Sequence, residues 1–261
     1  MKKLLQKVGY MMGCWLSCPR YRSENAGAGE EGIAAFLRPG DVLLVEGSSR
    51  FSAVIKYLTQ SSWSHAALFI GAEHAQRLGG CSRDCFIEAD VTEGVRLIGL
   101  DEFKGYHLRI CRPTGLDNDD IRAVIQFAGA RLGYRYDLHN IVDLARYFLP
   151  LPPVPQRWRR PFLTLGSGDP TRAICSTLIA QAFQSIPYPI LPIANASSGA
   201  TIDVSRNRLP RFTQRHYSLF TPRDFDLSPY FDIVKPRLAE GFDPYCLEWE
   251  KVDDVNDSAA M

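Results

Sequence analysis

The sequence predicts an α+β domain in which an antiparallel sheet packs against helices. Short strand-like apolar runs crowd the first half of the 261-residue chain, segments with helical spacing follow in the middle, and no internal repeat is visible. The chain is 46% hydrophobic, enough for one large core, and no long polar linker divides it.

The elements follow in order. Arg38-Pro39-Gly40-Asp41 is a turn, and Val42 to Val45 a buried strand. Ser48 and Ser49 cap a helix running to about Thr59. A strand over 64–70 comes next, apolar on both faces, and the hydrophilic residues 72–84 read as a loop. Phe86 to Ala89 and Val95 to Ile98 are two strands around a turn at Thr92-Glu93-Gly94. Leu100 to Phe103 is a helical turn, and Tyr106 to Cys111 alternates as a strand does. Asp117 to Leu132 opens with acids, as a helix N-terminus prefers, and Asp137 to Phe148 carries one apolar face. Prolines end that helix, and residues 150–170 form a long loop. A helix then carries Cys175 and ends near Ile186; residues 187–218 are irregular. Thr221-Pro222-Arg223-Asp224 starts a helix with proline at its first position, and Phe231 to Val234 is a last strand. The expected boundaries are an apolar and basic segment over 1–20, a linker over 21–37, the domain over 38–252 and a polar tail over 253–261.

Bulk properties exclude some functions. With 30 basic and 29 acidic residues the net charge is +1, so no basic field exists to hold a nucleic acid. Seven cysteines cannot all pair internally, and a chain of this length needs no disulfide staples, so most are read as reduced packing residues, a Cys81–Cys85 bridge being the one local alternative. In the first 20 residues, Leu4, Leu5, Val8, Met11, Met12 and Trp15 share one helical face, with Lys2, Lys3 and Lys7 off it. Three readings stay open: a membrane-surface helix, with Cys14 and Cys18 as lipid acceptors, a helix docked on the domain's own core, and an export signal. The run is too short to span a bilayer, and membrane-associated or cytoplasmic placement is expected ahead of export.

Chemistry concentrates on three residues. Cys175 falls in the first turn of its helix, after a Gly-Ser-Gly-Asp-Pro loop, where free amide hydrogens and the helix dipole favour a thiolate. His65 opens the buried strand, and burial disfavours imidazolium unless an anion stabilises it. Glu88 lies in the apolar run Phe86-Ile87-Glu88-Ala89 and needs a partner there; beside His65 it would accept a ring proton and fix the tautomer. Asp90, two residues on and on the same face, competes for that part. A buried packing cysteine, a structural histidine and an edge glutamate are the alternatives for each residue alone. His74, Cys81 and Cys85 fit no strong zinc signature, no glycine-rich nucleotide loop appears, and no cofactor is expected.

Several segments in order resemble the circularly permuted papain-like cysteine hydrolases, in particular the YiiX/YebB-like branch of the NlpC-type superfamily. They are Arg38-Pro39-Gly40-Asp41-Val42, Thr59-Gln60-Ser61-Ser62-Trp63-Ser64-His65, Ile87-Glu88-Ala89 with Gly94-Val95, Gly133-Tyr134-Arg135-Tyr136-Asp137, Ile174-Cys175-Ser176 and Thr221-Pro222-Arg223-Asp224. The resemblance implies a permuted papain-like fold with Cys175 as nucleophile, His65 as base and Glu88 as orienting acid. It also places Tyr136 at the site, with Trp63, Ser64 and Ser176 as neighbouring substrate-binding residues. Ile174 stands where the family often has an aromatic and Thr177 where it often has an acid, which bears on substrate choice. The expected activity is hydrolysis of an amide, thioester or ester bond in a small-molecule, peptide or lipid-linked acyl substrate. Acyl transfer and a non-catalytic lipid binder on the same fold are the alternatives.

Overall fold

The computed structural model describes residues 33–81, 84–90, 93–134, 174–194, 212–235 and 244–246. Tyr136, the helix expected over 137–148, the 150–170 loop, the first 20 residues and the tail lie outside them. Eight strands and five helices are built from the described residues in this order: β1 (Val42–Glu46), α1 (Arg50–Thr59), β2 (His65–Phe69), α2 (Gly71–Arg77), β3 (Asp84–Asp90), β4 (Gly94–Gly99), β5 (His107–Pro113), α3 (Asn118–Gly129), α4 (Ile174–Gln184), β6 (Ile193–Ala194), β7 (Phe212–Thr213), α5 (Pro222–Asp226) and β8 (Phe231–Val234). A 3-10 turn, Leu100–Phe103, follows β4.

Six strands form one antiparallel sheet in the order β4-β3-β2-β1-β5-β8. Because strand side chains alternate, the register sorts the core into two faces. Val45 lies opposite His65 and Leu43 opposite Ala67, so these four residues share a face. On the first face, Val42, Leu44, Ala66, Leu68, Ile87 and Cys111 are buried beneath α3, α4 and α5. On the second, Leu43, Val45, Ala67, Phe86, Ile98 and Ile110 pack with Phe103 of the 3-10 turn. Burial on both faces explains why β1 and β2 read as continuous apolar runs rather than as half-polar strands.

Local chemistry sets the helix ends. The Ser49 hydroxyl accepts from the Ser52 amide at 3.0 Å and starts α1. Asp117 and Asp120 form a capping box on α3, and Thr221 with Asp224 forms another on α5, which has proline at its start. α4 buries every side chain from Cys175 to Ala180, with Ala182 and Phe183, so it is a central helix rather than a surface one.

Two expectations need correction. Residues 71–77 form α2, not a loop. Its seven residues bury only Ala75, too little apolar periodicity to read, and its exposed face is tied by an Arg77–Glu73 pair at 2.6 Å. The turn after it brings Leu78 onto Gly129 of α3, where a Cβ would lie 2.8 Å from the leucine Cδ2. The second correction is the start of the domain. Ile33, Phe36 and Leu37, assigned to the linker by composition, pack on the second-face core. Among the described residues, Cys111 and Cys175 are free thiols, and no helix is long and apolar enough to cross a membrane.

Asp41 fixes that entry. Its carboxylate is 1% exposed and accepts from Arg112 Nε at 2.9 Å, Arg112 Nη2 at 2.8 Å and the Arg38 amide at 2.8 Å. Arg112 also donates to the Phe36 carbonyl at 2.5 Å, which pins the incoming segment to β5. The Asp41→Asn substitution keeps the shape but leaves the guanidinium without its counter-charge. It is expected to cost about 3 kcal/mol, measured as a lower urea midpoint at unchanged slope.

Candidate active site

His65 is the first residue of β2, at the sheet's end, on the second face. Glu88 lies on the adjacent strand β3, on the same face as Phe86. Arg96 stands directly across from Glu88 on β4. These three side chains meet. His65 Nε2 lies 2.6 Å from Glu88 Oε2, and Arg96 reaches Glu88 Oε1 through Nε at 2.8 Å and Nη2 at 2.7 Å. A carboxylate only 5% exposed has both oxygens engaged, which offsets its desolvation.

Cys175 completes the cluster. It lies in the first turn of α4, it is 4% exposed, and it lines the same cleft as His65 and Glu88. Since Nε2 is held by Glu88, Nδ1 is the ring nitrogen left for the sulfur. The structure thus brings together sulfur, imidazole and carboxylate from three separate elements. Asp90, the competing acid, lines the same cleft but accepts from the Glu93 amide at 2.9 Å, while Glu88 holds the ring.

The electrostatics of the cluster are mutually reinforcing. Burial pushes the His65 ring towards its neutral form. The charge and hydrogen bond of Cys175, then those of Glu88, override it and hold the ring pKa well above its ordinary 6.5. Burial pushes Glu88 up, but the His65 hydrogen bond and charge and the Arg96 guanidinium outweigh it, leaving the carboxyl below its ordinary 4.5. Cys111 lies outside the cluster. Fully buried on the first face, its thiol is pushed up by desolvation to about 12 and stays protonated.

A cleft of about 250 Å³ opens on this cluster, with Ser48, Ser49, Phe51 and Ser52 on one side and Phe103 and Tyr106 among the residues completing it. Ser64 lines it too. Its hydroxyl is spent on structure, accepting from the Gly47 amide at 2.9 Å and facing the Val45 carbonyl. Two of the residues expected to bind substrate are engaged elsewhere. Trp63 is not in the lining; its Nε1 donates to Asp226 at 3.2 Å, and Arg109 stacks on its ring at 4.8 Å while bridging to the same aspartate at 2.6 Å. Ser176 is fully buried and donates to the Phe220 carbonyl at 2.9 Å, tying α4 to the turn before α5. Both are adjacent in sequence to site residues, but their side chains leave the backbone in other directions. Among the described residues, no group of three or more His, Cys, Asp or Glu side chains is placed to hold a metal.

Arg96 was not singled out from the sequence. The turn expected at Thr92-Glu93-Gly94 centres on residue 93, whereas the observed register of β3 and β4 sets Glu88 opposite Arg96. A buried carboxylate needing a partner has its partner at that position.

Comparison with known proteins gives a family match over part of the chain. Residues 36–148 match the peptidase C92 family, described as permuted papain-like amidase enzyme, YaeF/YiiX. That span contains His65, Glu88 and Arg96 and ends before Cys175. Among solved structures, the metalloprotein yiiX from Escherichia coli O157:H7 aligns with 15% identity and a TM-score of 0.44, covering 77% of this chain and 97% of that one. No curated protein matches.

The Glu88→Gln substitution tests the coupling. It removes a negative charge from the ring, so the His65 pKa, followed by its NMR resonances, is expected to fall from its raised value. The sign for stability follows from the two directions. The His65 contribution is fully present below pH 6.5 and is lost as pH rises through the raised folded pKa. The Glu88 contribution is present above 4.5 and is lost as pH falls through the lowered one. Melting temperature against pH is expected to fall on both sides in the wild type and to be flatter in Glu88→Gln; identical curves would contradict the coupling.

Proposed function

We propose that this domain, whose residues 36–148 match the permuted papain-like amidase family, is a cysteine hydrolase that cleaves an amide bond, or a thioester or ester, through an acyl-enzyme. The observation that carries the reading is the chain of contacts from Arg96 through Glu88 to His65 in a cleft that Cys175 also lines. Cys175 is the nucleophile, His65 the acid and base, Glu88 the group that holds the ring, and Arg96 the group that keeps Glu88 ionised.

His65, as general base, takes the Cys175 proton on Nδ1. Sγ attacks the acyl carbon, and the carbonyl electron pair moves onto oxygen. The amide of Cys175, at the start of α4, is one donor to that oxyanion. Collapse of the tetrahedral species breaks the bond to the leaving group, which takes the Nδ1 proton. Neutral His65 then removes a proton from water as its oxygen attacks the thioester, and the carboxylic acid leaves with the thiolate restored. Glu88 keeps the Nε2 proton in place throughout, so the tautomer presented to sulfur does not change. A cleft of about 250 Å³ accommodates the acyl portion around the scissile bond rather than a whole peptide. A peptide or a lipid-linked acyl compound is the substrate class that fits this reading.

Iodoacetamide is expected to label Cys175 ahead of the other thiols near neutral pH, and His65→Ala to slow that labelling by about tenfold or more. Cys175→Ala is expected to abolish turnover on a panel of acyl-amides, thioesters and esters. Equal, slow labelling of Cys175 and the exposed Cys81 and Cys246, unaffected by His65→Ala, would overturn the reading.

A further inference from the structure

We infer that Ser48 supplies the second hydrogen-bond donor to the oxyanion formed at Cys175. The inference rests on the hydrolase reading above and assigns a residue that neither the triad nor the family match singles out.

Four serines line the cleft: Ser48, Ser49, Ser52 and Ser64. Three have structural work. Ser49 accepts from the Ser52 amide at 3.0 Å and pairs with the Ser52 hydroxyl at 2.9 Å, so both are committed to the start of α1. Ser64 holds the Gly47 amide at 2.9 Å. Ser48 differs. It is 8% exposed, and its Oγ is buried with no hydrogen-bond partner. Among the described residues, the only other side-chain oxygen in that condition is Thr177 Oγ1, which does not line the cleft. A buried hydroxyl without a partner is costly, and folded proteins retain one where another group completes it.

The backbone that carries Ser48 is fixed. At Gly47 a Cβ would run into the Ser52 hydroxyl and come within 2.9 Å of Ser64 Oγ, so the strand-to-helix passage has no room to relax. Ser48 directly precedes the cap of α1, a ten-residue helix whose N-terminal end carries positive potential. A rotatable O–H on a rigid loop, beside a helix N-terminus and in the same small cleft as the nucleophile, suits an oxygen that becomes negative only during the reaction. In the ground state the hydroxyl is unpaired; in the tetrahedral species it donates to the new oxyanion together with the Cys175 amide.

The test separates acylation from alkylation. p-Nitrophenyl acetate acylates a thiolate through a tetrahedral oxyanion: the sulfur–acyl bond forms, the aryl ester bond breaks and p-nitrophenolate leaves. Iodoacetamide reacts by displacement of iodide and forms no oxyanion. Both rates are read at Cys175 by peptide mass spectrometry, with Cys175→Ala giving the background. Ser48→Ala is expected to slow acylation by about 100-fold and to leave the alkylation rate within twofold. Ser48→Thr, which keeps the hydroxyl, is expected to lose far less. Unchanged acylation in Ser48→Ala, or an equal fall in both reactions, would overturn the assignment. Failure of the wild-type thiol to acylate at all would sink the hydrolase reading and this inference with it.

Discussion

Everything at the site depends on one buried carboxylate with two partners. Glu88 is held by His65 on one oxygen and by Arg96 on the other. An ionised carboxylate in an apolar sheet face is tolerated only when its lone pairs are satisfied. Removing either partner would leave the other geometry unsupported. The arrangement also orders the charges along a line: guanidinium, carboxylate, imidazole, sulfur. The guanidinium and the imidazole hold the carboxylate ionised, and the sulfur and the carboxylate beside the ring hold it basic despite its burial.

The sheet makes that line possible. Antiparallel pairing places Glu88 beside the strand of His65 and directly opposite Arg96, so the ionic part of the cluster is a consequence of register alone. The thiol comes from the other side of the fold. α4 packs its apolar length on the first face, and Cys175 in its first turn lines the cleft with His65, the first residue of β2. The helix start and the strand start meet where the sheet stops, a place with room for a cleft. Asp41 and Arg112 serve the opposite need, clamping the incoming chain to β5 with a buried, bidentate pair.

The residues around the cluster divide by what their side chains already do. Trp63 supports the segment leading into His65 through Asp226 and Arg109, and Ser176 secures α4 through Phe220. Ser64 stiffens the loop that carries Ser48. All three are adjacent in sequence to residues of chemical interest, and all are committed to structure. Ser48 is the one cleft serine left without a commitment.

Strand and helix positions were legible in the sequence wherever the local signal was strong: the alternating and continuous apolar runs of the sheet, the Ser49, Asp117 and Thr221 caps, and the proline opening α5. α2 was not, because seven residues with one buried side chain carry no readable period. The identities of Cys175, His65 and Glu88 as candidates also came from the chain itself, since a thiol at a helix start, a histidine in an apolar strand and a lone carboxylate in another each pose a local problem. What the tertiary structure decided was how those problems are solved jointly. Choosing Glu88 over Asp90 at the ring, pairing Arg96 with it, and turning Trp63 and Ser176 away from the cleft depend on side-chain direction and strand register across distant segments. Those are relations between elements, and no local pattern of residues encodes them.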